Sequence, residues 1–451
     1  MIRFDTTNYG DGNSNGERDA ADWVAGQLQD AGYLPTVIEA EPGRASTVVR
    51  ITGRDRAAPA LLVHGHLDVV PAAAQDWSVD PFGGAVRDGA VWGRGALDMK
   101  STDAAMLAIA LAWARAGYVP PRDVVLAFVA DEEDNGEFGA GYLVRERAEL
   151  FAGVTTAIGE SGGYSVYLPD GRRLYPIACA ERGTARIKLT ARGTAGHGSR
   201  PNPANAVATL ARVVARLADH RWPRHIIPAV QALLDGLGDE RLREEPRRRD
   251  AAAPKARVEA RIHPSAASGG DSDPLGRGDR DDVVTALGDA ARLLEATLSN
   301  TLNPTMLSAG YKVNVVPSEA VAWLDGRVLP GTADEFFGTL NRLAGPEVSC
   351  EVTTYAAPIE TPHDTPEFAA MVAAVRAHDP DALVLPCCAS GGTDAKAFSS
   401  LGIACYGFAP ARWPPGFAHW NYVHGVDERV PIESLVFGAR VLGTYLGEEL
   451  A

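Results

Sequence analysis

The first 180 residues alternate short apolar runs with longer segments of helical periodicity. The apolar runs of strand length are STVVRI, ALLVHG, VVLAFVAD and TTAIGE. Residues 17–33 have apolar positions at helical spacing, and a second such segment has Ser101, Thr102 or Asp103 as candidate N-cap and Gly117 as candidate C-cap. Strands that alternate with helices predict an α/β fold, with a mixed, mostly parallel sheet sandwiched by helices.

The pattern changes near residue 181. TARIKLTARG alternates apolar and polar residues like a half-exposed strand, and ANAVATLARVVARLADH is an amphipathic helix. With the later segments, the order strand, helix, two strands, helix, strand predicts a ferredoxin-like α+β domain. We place this domain at residues 182–355, inserted between the two parts of the first domain, residues 1–181 and 356–451. Residues 240–282 are rich in charge, Gly, Pro and Ser, which predicts a mobile surface insertion.

Composition narrows the class of protein. The chain has 451 residues, 46% of them hydrophobic and 22% charged, as expected of a globular protein with more than one domain. Its net charge of −15 excludes nucleic acid and anionic membranes as natural partners. The first twenty residues lack the apolar stretch of a signal peptide, and no 18-residue apolar run indicates a membrane span, so we expect a cytoplasmic protein. Five cysteines, an odd number, argue against a full disulfide framework.

Polar side chains interrupt the apolar runs at their carboxyl ends. LLV is followed by HGHLD, LAFVA by DEED and AIG by ESGG. In an open α/β sheet these strand ends form the ligand crevice. The candidate functional residues at the strand ends, and before the second helix, are His66, Asp68, Asp98, Asp131, Glu132, Glu133 and Glu160.

The chemistry of this group points to metal. Consecutive acids directly after a buried strand need positive charge nearby, and a pair of divalent cations would provide it. His66 and Asp68 point the same way by strand parity, so Asp68 is placed to hold the distal nitrogen of a ligating His66. His64 falls on the same face, and spacing alone does not choose between the two histidines. Taken singly, His-x-Asp also fits a satisfied polar cluster, and DEED also fits a solvated turn.

Eight motifs occur together in one order. They are HGHLDVVP, GRGALDMKS, ADEE, IGESGG, GTAGHGSRP, NVVPSEA…DGR, SGGTDAK and YVHGVDE, between residues 64 and 428. As a set they closely resemble the co-catalytic zinc amidohydrolase/exopeptidase family, which includes acetylornithine deacetylase, succinyl-diaminopimelate desuccinylase, aminoacylase, carboxypeptidase G and carboxypeptidase S. In that resemblance the second histidine of HGH, His66, matches the metal ligand.

The resemblance implies two divalent metal ions, zinc first, with cobalt or manganese as alternatives. The implied ligands are His66, Asp98 and Glu160 for one ion, and Asp98, Glu133 and His424 for the other. Glu132 matches the general base and Asp68 the acid that orients His66. The resemblance also implies a non-proline cis peptide between Asp98 and Met99.

Further residues receive roles from the resemblance alone. His197, in the inserted lid and dimerisation domain, would be an oxyanion donor that reaches the active site of the other subunit of a homodimer; the alternative is a loop histidine without a role. Asn314 and Arg327 would hold the free carboxylate of the substrate, although Arg327 is equally compatible with an ordinary surface strand. The backbone donors to substrate would come from Gly391, Gly392 and Thr393, where a plain turn is the alternative.

The expected function is a dizinc hydrolase that cleaves an amide bond next to a free carboxylate, in a small acyl-amino acid or a short peptide. Two rival hypotheses remain: a non-catalytic relative that only binds small molecules or peptides, and a mononuclear zinc enzyme. A retained ligand set together with Glu132 argues against the first, because a binding protein has no need of a base beside the metals.

Overall fold

The structure is a computed structural model that describes residues 1–238 and 287–447. The predicted insertion at residues 240–282 lies outside the described residues. The chain divides into two compact units, one formed by Met1–Arg182 with Ala357–Ala451 and the other by Gly183–Ala356.

A ten-stranded mixed sheet forms the centre of the first unit. Its four middle strands run parallel to one another, as the α/β pattern predicts, and antiparallel strands flank them. The main path of the sheet, in spatial order, is Val166–Tyr167, Arg173–Glu181, Ala404–Gly407, Val154–Gly159, Ala60–His66, Val124–Val129, Arg44–Ile51 and Thr36–Glu41. The two remaining strands, Ile359–Glu360 and Leu383–Ala389, pair with Arg173–Glu181.

Helices cover this sheet because its middle strands are apolar on both faces. Ala60–His66 and Val124–Val129 are buried at every position. Leu62 and Val125 share one core with Leu143 and Phe398 of two short helices on one face. The helices of this unit are Arg18–Asp30, Lys100–Ala116, Ala140–Glu146, Pro366–His378, Ala395–Ser399 and Ile432–Tyr445.

The helix Lys100–Ala116 ends as predicted but begins differently. Gly117 closes it in the left-handed conformation at φ 62°, which confirms the C-cap. The N-cap prediction was wrong, since Met99 occupies that position without a side-chain cap. Asp103 is fully buried instead, and a Cβ at Gly65 would lie 2.3 Å from its Oδ1. Asp103 therefore packs against the central strand rather than capping the helix.

The second unit is a four-stranded antiparallel sheet with helices on one face. Its elements run strand, helix, strand, strand, helix, strand, the order of ferredoxin-like folds. Inward positions of its central strand, such as Ile187 and Leu189, share a core with Leu210 and Phe336 of the two helices. In chain order these elements are Gly183–Arg192, Ala206–Ala218, Thr301–Ala309, Glu319–Val328, Ala333–Ala344 and Val348–Ala356.

Smaller elements complete both units. The further strands are Asn8–Gly10, Asn13–Ser14, Ala85–Arg87, Ala90–Trp92, Gly196–His197, Val315–Val316 and Arg429–Pro431, and the further α-helices are Pro228–Leu237 and Arg292–Glu295. All five cysteines are free thiols. Within residues 1–238 and 287–447, no helix combines the length and the apolar character that a bilayer crossing requires.

Candidate metal centre

Three middle strands of the first unit deliver side chains to one edge of the sheet. His66 is the last residue of its strand, and Glu160 directly follows the strand Val154–Gly159. Asp131 has a left-handed backbone, φ 71°, so the chain turns sharply after Val124–Val129 and brings Glu132 to the same edge. The carboxyl ends of parallel strands therefore gather the imidazole and the acids in one place.

Asp98 lies at the middle of this group. Its Oδ1 is 3.1 Å from Nε2 of His66, and its Oδ2 is 3.0 Å from Nε2 of His424. Glu160 lies 3.9 Å from the same nitrogen of His66, and Glu133 lies 3.2 Å from that of His424. The two oxygens of Asp98 thus lie next to different histidines. Each histidine also has a second acid nearby, Glu160 for His66 and Glu133 for His424. The Asp98–Met99 peptide is cis, which confirms that expectation.

Asp68 fixes the orientation of His66. Nδ1 of His66 lies 2.9 Å from the Asp68 carbonyl oxygen and 3.6 Å from its Oδ1, so Nε2 is left to face the acids. The fully buried Asp68 carboxylate also accepts hydrogen bonds from the backbone N–H groups of Glu132 and Glu133, each at 3.1 Å. Asp68 therefore positions the imidazole mainly through its backbone carbonyl oxygen, and the turn that carries two acids through its carboxylate.

His64 has a different environment. Its ring is buried against Phe398, with centroids 4.8 Å apart, and it fills the space beside Gly159. Burial, and then the charge of His66, lowers the pKa of His64 to about 3. His66, rather than His64, is the histidine that faces the carboxylates.

The electrostatics of the cluster call for positive charge. Burial, and then the charge of Glu160, raises the pKa of Glu132 well above its usual range. Burial followed by the charge of Asp98 does the same to the pKa of Glu160. Hydrogen bonds to Asp98 and Glu133 raise the pKa of His424 to about 10. These carboxylates raise one another's pKa because they are buried close together, and a cation between them would relieve that repulsion.

The donor set fits divalent metal ions. His66, Glu132 and Glu160 each offer a ligand atom within 4.8 Å of the others, and so do His66, Asp98 and Glu133. Imidazole nitrogen and carboxylate oxygen without thiolate suit zinc, and manganese or cobalt as alternatives. The side chain of His66 is 1% exposed and that of His424 is 49% exposed, so the cluster extends from the core to solvent.

The second unit holds three of the sequence-predicted residues. His197 is exposed, and the backbone of its short strand pairs with that of Val315, beside Asn314. The carbonyl oxygen of Asn314 accepts a hydrogen bond from Gly198, so His197 and Asn314 lie close together. Arg327 lies near the end of the strand Glu319–Val328, where its Nε donates to Asp325 at 2.7 Å. The structure gives Arg327 an acidic partner within its own strand.

The SGGTDAK turn belongs to the first unit. Gly391 and Gly392 precede Thr393, whose backbone N–H and hydroxyl donate to Glu181 at 3.0 Å and 2.6 Å. Asp394 follows in a buried position, where burial raises its pKa to about 8. Asp394 contributes to the raised pKa of Glu132 and of Glu160, although sequence analysis assigned it no role.

The sequence analysis did not predict two buried networks of hydrogen bonds and ion pairs. Asn8 donates to both Asp68, at 3.0 Å, and Asp131, at 3.1 Å, and the buried Arg44 pairs with Asp131. Glu428 pairs with Arg94 at 2.6 Å and accepts hydrogen bonds from the backbone around Asp98. Glu428 ends the motif YVHGVDE, which was a usable signal, whereas nothing in the local sequence marks Asn8.

Comparison with known proteins agrees with this geometry. The family described as Peptidase family M20/M25/M40 matches residues 62–448. The human N-fatty-acyl-amino acid synthase/hydrolase is 27% identical over 405 residues, covering 86% of this chain and 74% of that protein. A probable carboxypeptidase S-like protein of Dictyostelium discoideum is 25% identical over 399 residues, 86% of this chain and 71% of its own. A succinyl-diaminopimelate desuccinylase of Cereibacter sphaeroides is 35% identical over 176 residues, 38% of this chain and 44% of its own.

Solved structures show the same fold. The M20 family metallo-carboxypeptidase from Sulfolobus solfataricus superimposes with a TM-score of 0.69 at 18% identity, covering 99% of this chain and 97% of that one. Human carnosine dipeptidase 1 gives a TM-score of 0.61 at 16% identity, covering 95% and 88%. The matched family spans the strand ends, the acids and His424, so the chain belongs to Peptidase family M20/M25/M40 and is a metal-dependent hydrolase.

Proposed function

We propose that this chain is a dinuclear zinc hydrolase that cleaves an amide bond next to a free carboxylate, in an N-acyl-amino acid or a short peptide. The observation that carries the proposal is Asp98, whose two oxygens face His66 and His424 separately. A carboxylate in that position suits a bridge between two cations. The proposed ligands are His66, Asp98 and Glu160 for one ion, and Asp98, Glu133 and His424 for the other.

Zinc held by these residues would polarise the substrate carbonyl and lower the pKa of an attacking water. Glu132 accepts the proton of that water and returns it to the nitrogen of the leaving amine. One oxygen of its carboxylate lies within 4.8 Å of the ligand atoms of His66 and Glu160. Asp68 holds His66 in the tautomer that presents Nε2 to the metal.

The substrate side of the proposal draws on relatives and on the second unit. The human relative is named for N-fatty-acyl-amino acids, and one structural neighbour is a carnosine dipeptidase. We assign the oxyanion to His197, the substrate carboxylate to Asn314 and Arg327, and backbone donation to the turn of Gly391, Gly392 and Thr393. Arg327 must then exchange Asp325 for the substrate. We also propose that the chain acts as a homodimer in which His197 serves the neighbouring subunit; the cytoplasmic location stays a prediction.

The test is Glu132→Gln, with Glu137→Gln as control, since Glu137 is an exposed acid in the same loop. Loss of general-base catalysis should lower kcat by about 10²–10⁴-fold on a panel of N-acyl-amino acids and dipeptides. Metal analysis should still find two ions per chain in both variants. Wild-type activity in Glu132→Gln would remove Glu132 from the mechanism, and loss of one metal would make it a ligand. One bound metal in the active wild type would favour the mononuclear hypothesis.

A further inference from the structure

A pocket of about 310 Å³ adjoins the proposed metal centre within the first unit. Asp98 and Glu160 line one part of it. The remaining walls come from the helix Lys100–Ala116, the loops that contain Tyr164 and Trp413, the segment 419–423, Val430, and the helix Ile432–Tyr445. The pocket thus begins at two proposed metal ligands and extends between two long helices.

The walls of the pocket are mainly apolar, and aromatic contacts hold them in place. Tyr164 and Trp420 pack edge to face with centroids 5.3 Å apart, and Trp413 stacks on His419 at 5.2 Å. Gly438, on the opposite helix, approaches so closely that a Cβ there would lie 2.3 Å from the carbonyl oxygen of Pro410. A pocket with stacked aromatic walls and a helix pressed against its loop does not need to form anew around a ligand.

The volume sets the size of the occupant. A buried cavity of about 150 Å³ lined by apolar residues holds one benzene molecule. The cavity volume per carbon atom of the ligand is then about 25 Å³. At that packing, the 310 Å³ of this pocket hold about twelve carbons. The pocket is too large for an acetyl group and fits a chain of medium length.

Charge decides which half of the substrate enters. None of the described residues that line the pocket is a lysine or an arginine, and two of them are the acids Asp98 and Glu160. The amino-acid half of an N-acyl-amino acid has a carboxylate next to the scissile amide, and the described lining residues offer that carboxylate no basic side chain as a partner. The acyl half has no charge and loses water-exposed apolar surface on entry.

We propose that this pocket is the binding site for the acyl chain of the substrate, and that it selects linear apolar chains of up to about twelve carbons. The inference rests on the proposed function and deepens it, because it names the acyl class that the hydrolase prefers. Ala105 lines the pocket from the helix Lys100–Ala116 and Leu435 from the helix Ile432–Tyr445, so each controls its volume.

The first experiment measures kcat/KM on N-acyl-alanines with acyl chains of increasing length. Each buried methylene should raise kcat/KM by about fourfold, the equivalent of about 0.8 kcal/mol, until the pocket is full. Ala105→Leu adds three carbons and should remove room for about three, which lowers the ratio of dodecanoyl to acetyl kcat/KM by about 60-fold. Leu435→Ala should move the optimum to longer chains.

The matched control is Ala104→Leu, which makes the same change at an exposed position of the same helix. It should keep the wild-type dependence on chain length. A second measurement does not need turnover: calorimetry should show that decanol binds wild type and Ala104→Leu, with a negative heat-capacity change, and binds Ala105→Leu at least tenfold more weakly.

The outcomes separate the two proposals. If acyl-amino acids are hydrolysed with a kcat/KM that does not depend on chain length, the acyl pocket is refuted and the proposed function stands. If Ala105→Leu changes selectivity among the side chains of N-acetyl-amino acids instead, the amino-acid half occupies the pocket and the proposal is wrong. If metal-loaded wild type hydrolyses neither acyl-amino acids nor dipeptides, the proposed function fails, and the calorimetry still decides whether the pocket takes an apolar chain.

Discussion

Replacement of Glu428 by glutamine should disturb the proposed metal centre without removing a proposed ligand. Glu428 is fully buried, and both of its oxygens are occupied. Oε1 accepts from the backbone N–H groups of Leu97, at 2.7 Å, and Asp98, at 3.1 Å. Oε2 accepts from Arg94, at 2.6 Å, and from the N–H of Gly95, at 3.0 Å. Four donors therefore converge on one carboxylate that holds the backbone of Asp98.

The magnitude follows from that geometry. In Glu428→Gln an NH2 group replaces one of the two oxygens and must face two hydrogen-bond donors with no acceptor to offer them. Arg94, whose side chain is 4% exposed, also loses its charged partner. Breaking a buried ion pair from one side destabilises a protein by about 3–5 kcal/mol. Loss of a residue that orients a metal ligand without touching the metal lowers metal affinity by about 10–100-fold. We expect both effects, because Glu428 supports the fold and the position of Asp98 together.

The control is Glu433→Gln, an exposed acid at the start of the helix Ile432–Tyr445, which makes the same change of charge. Urea unfolding gives the stability of each variant, and competition with a zinc chelator gives its metal affinity. If Glu428→Gln matches Glu433→Gln in both measurements, Glu428 does not organise the loop of Asp98. A loss of stability with unchanged metal affinity would limit its role to the fold.

Removal of metal should lower Tm, and the loss should grow as pH rises. In the metal-free site the pKa values of Glu132 and Glu160 lie well above the unfolded value near 4.5, so the stability linked to their protons is present at low pH and disappears as pH rises through the raised values. Scanning calorimetry of chelated protein at pH 5 and pH 8 measures this, and a metal-free Tm that increases with pH would contradict it. Mixing His197→Ala chains with Glu132→Gln chains should restore about a quarter of wild-type activity if His197 acts across a dimer, since half of randomly paired dimers are heterodimers with one intact site. No recovery in heterodimers isolated by affinity tags would mean that His197 does not serve the neighbouring subunit.

The elements that the sequence predicts best are those whose cause is local. The strand Ala60–His66 is predictable because an apolar run there ends in polar residues. The helix that ends before Gly117 is predictable from its helical periodicity and from the glycine that closes it. The acids after the strands stand out for the same reason: buried charge is unfavourable, so its presence at a strand end demands an explanation.

Other parts depend on residues that meet only in the folded chain. Arg94 and Glu428 are 334 positions apart, and Asn8 reaches Asp131 across 123 positions. No periodicity links such partners. The N-cap of the helix Lys100–Ala116 failed as a prediction because Asp103, a good capping residue by type, is buried in the core instead.

The wide separation of the proposed metal ligands along the chain has a consequence for the order in which the chain folds during synthesis. The second unit is contiguous, Gly183–Ala356, so all of its strands are available before the remainder of the first unit emerges. His424 follows His66 by 358 positions, which corresponds to about 20–70 s of translation at about 5–20 residues per second. During that interval the strand ends carry their acids without His424 or Glu428. The site that the chain begins to encode earliest is therefore among the last to be completed.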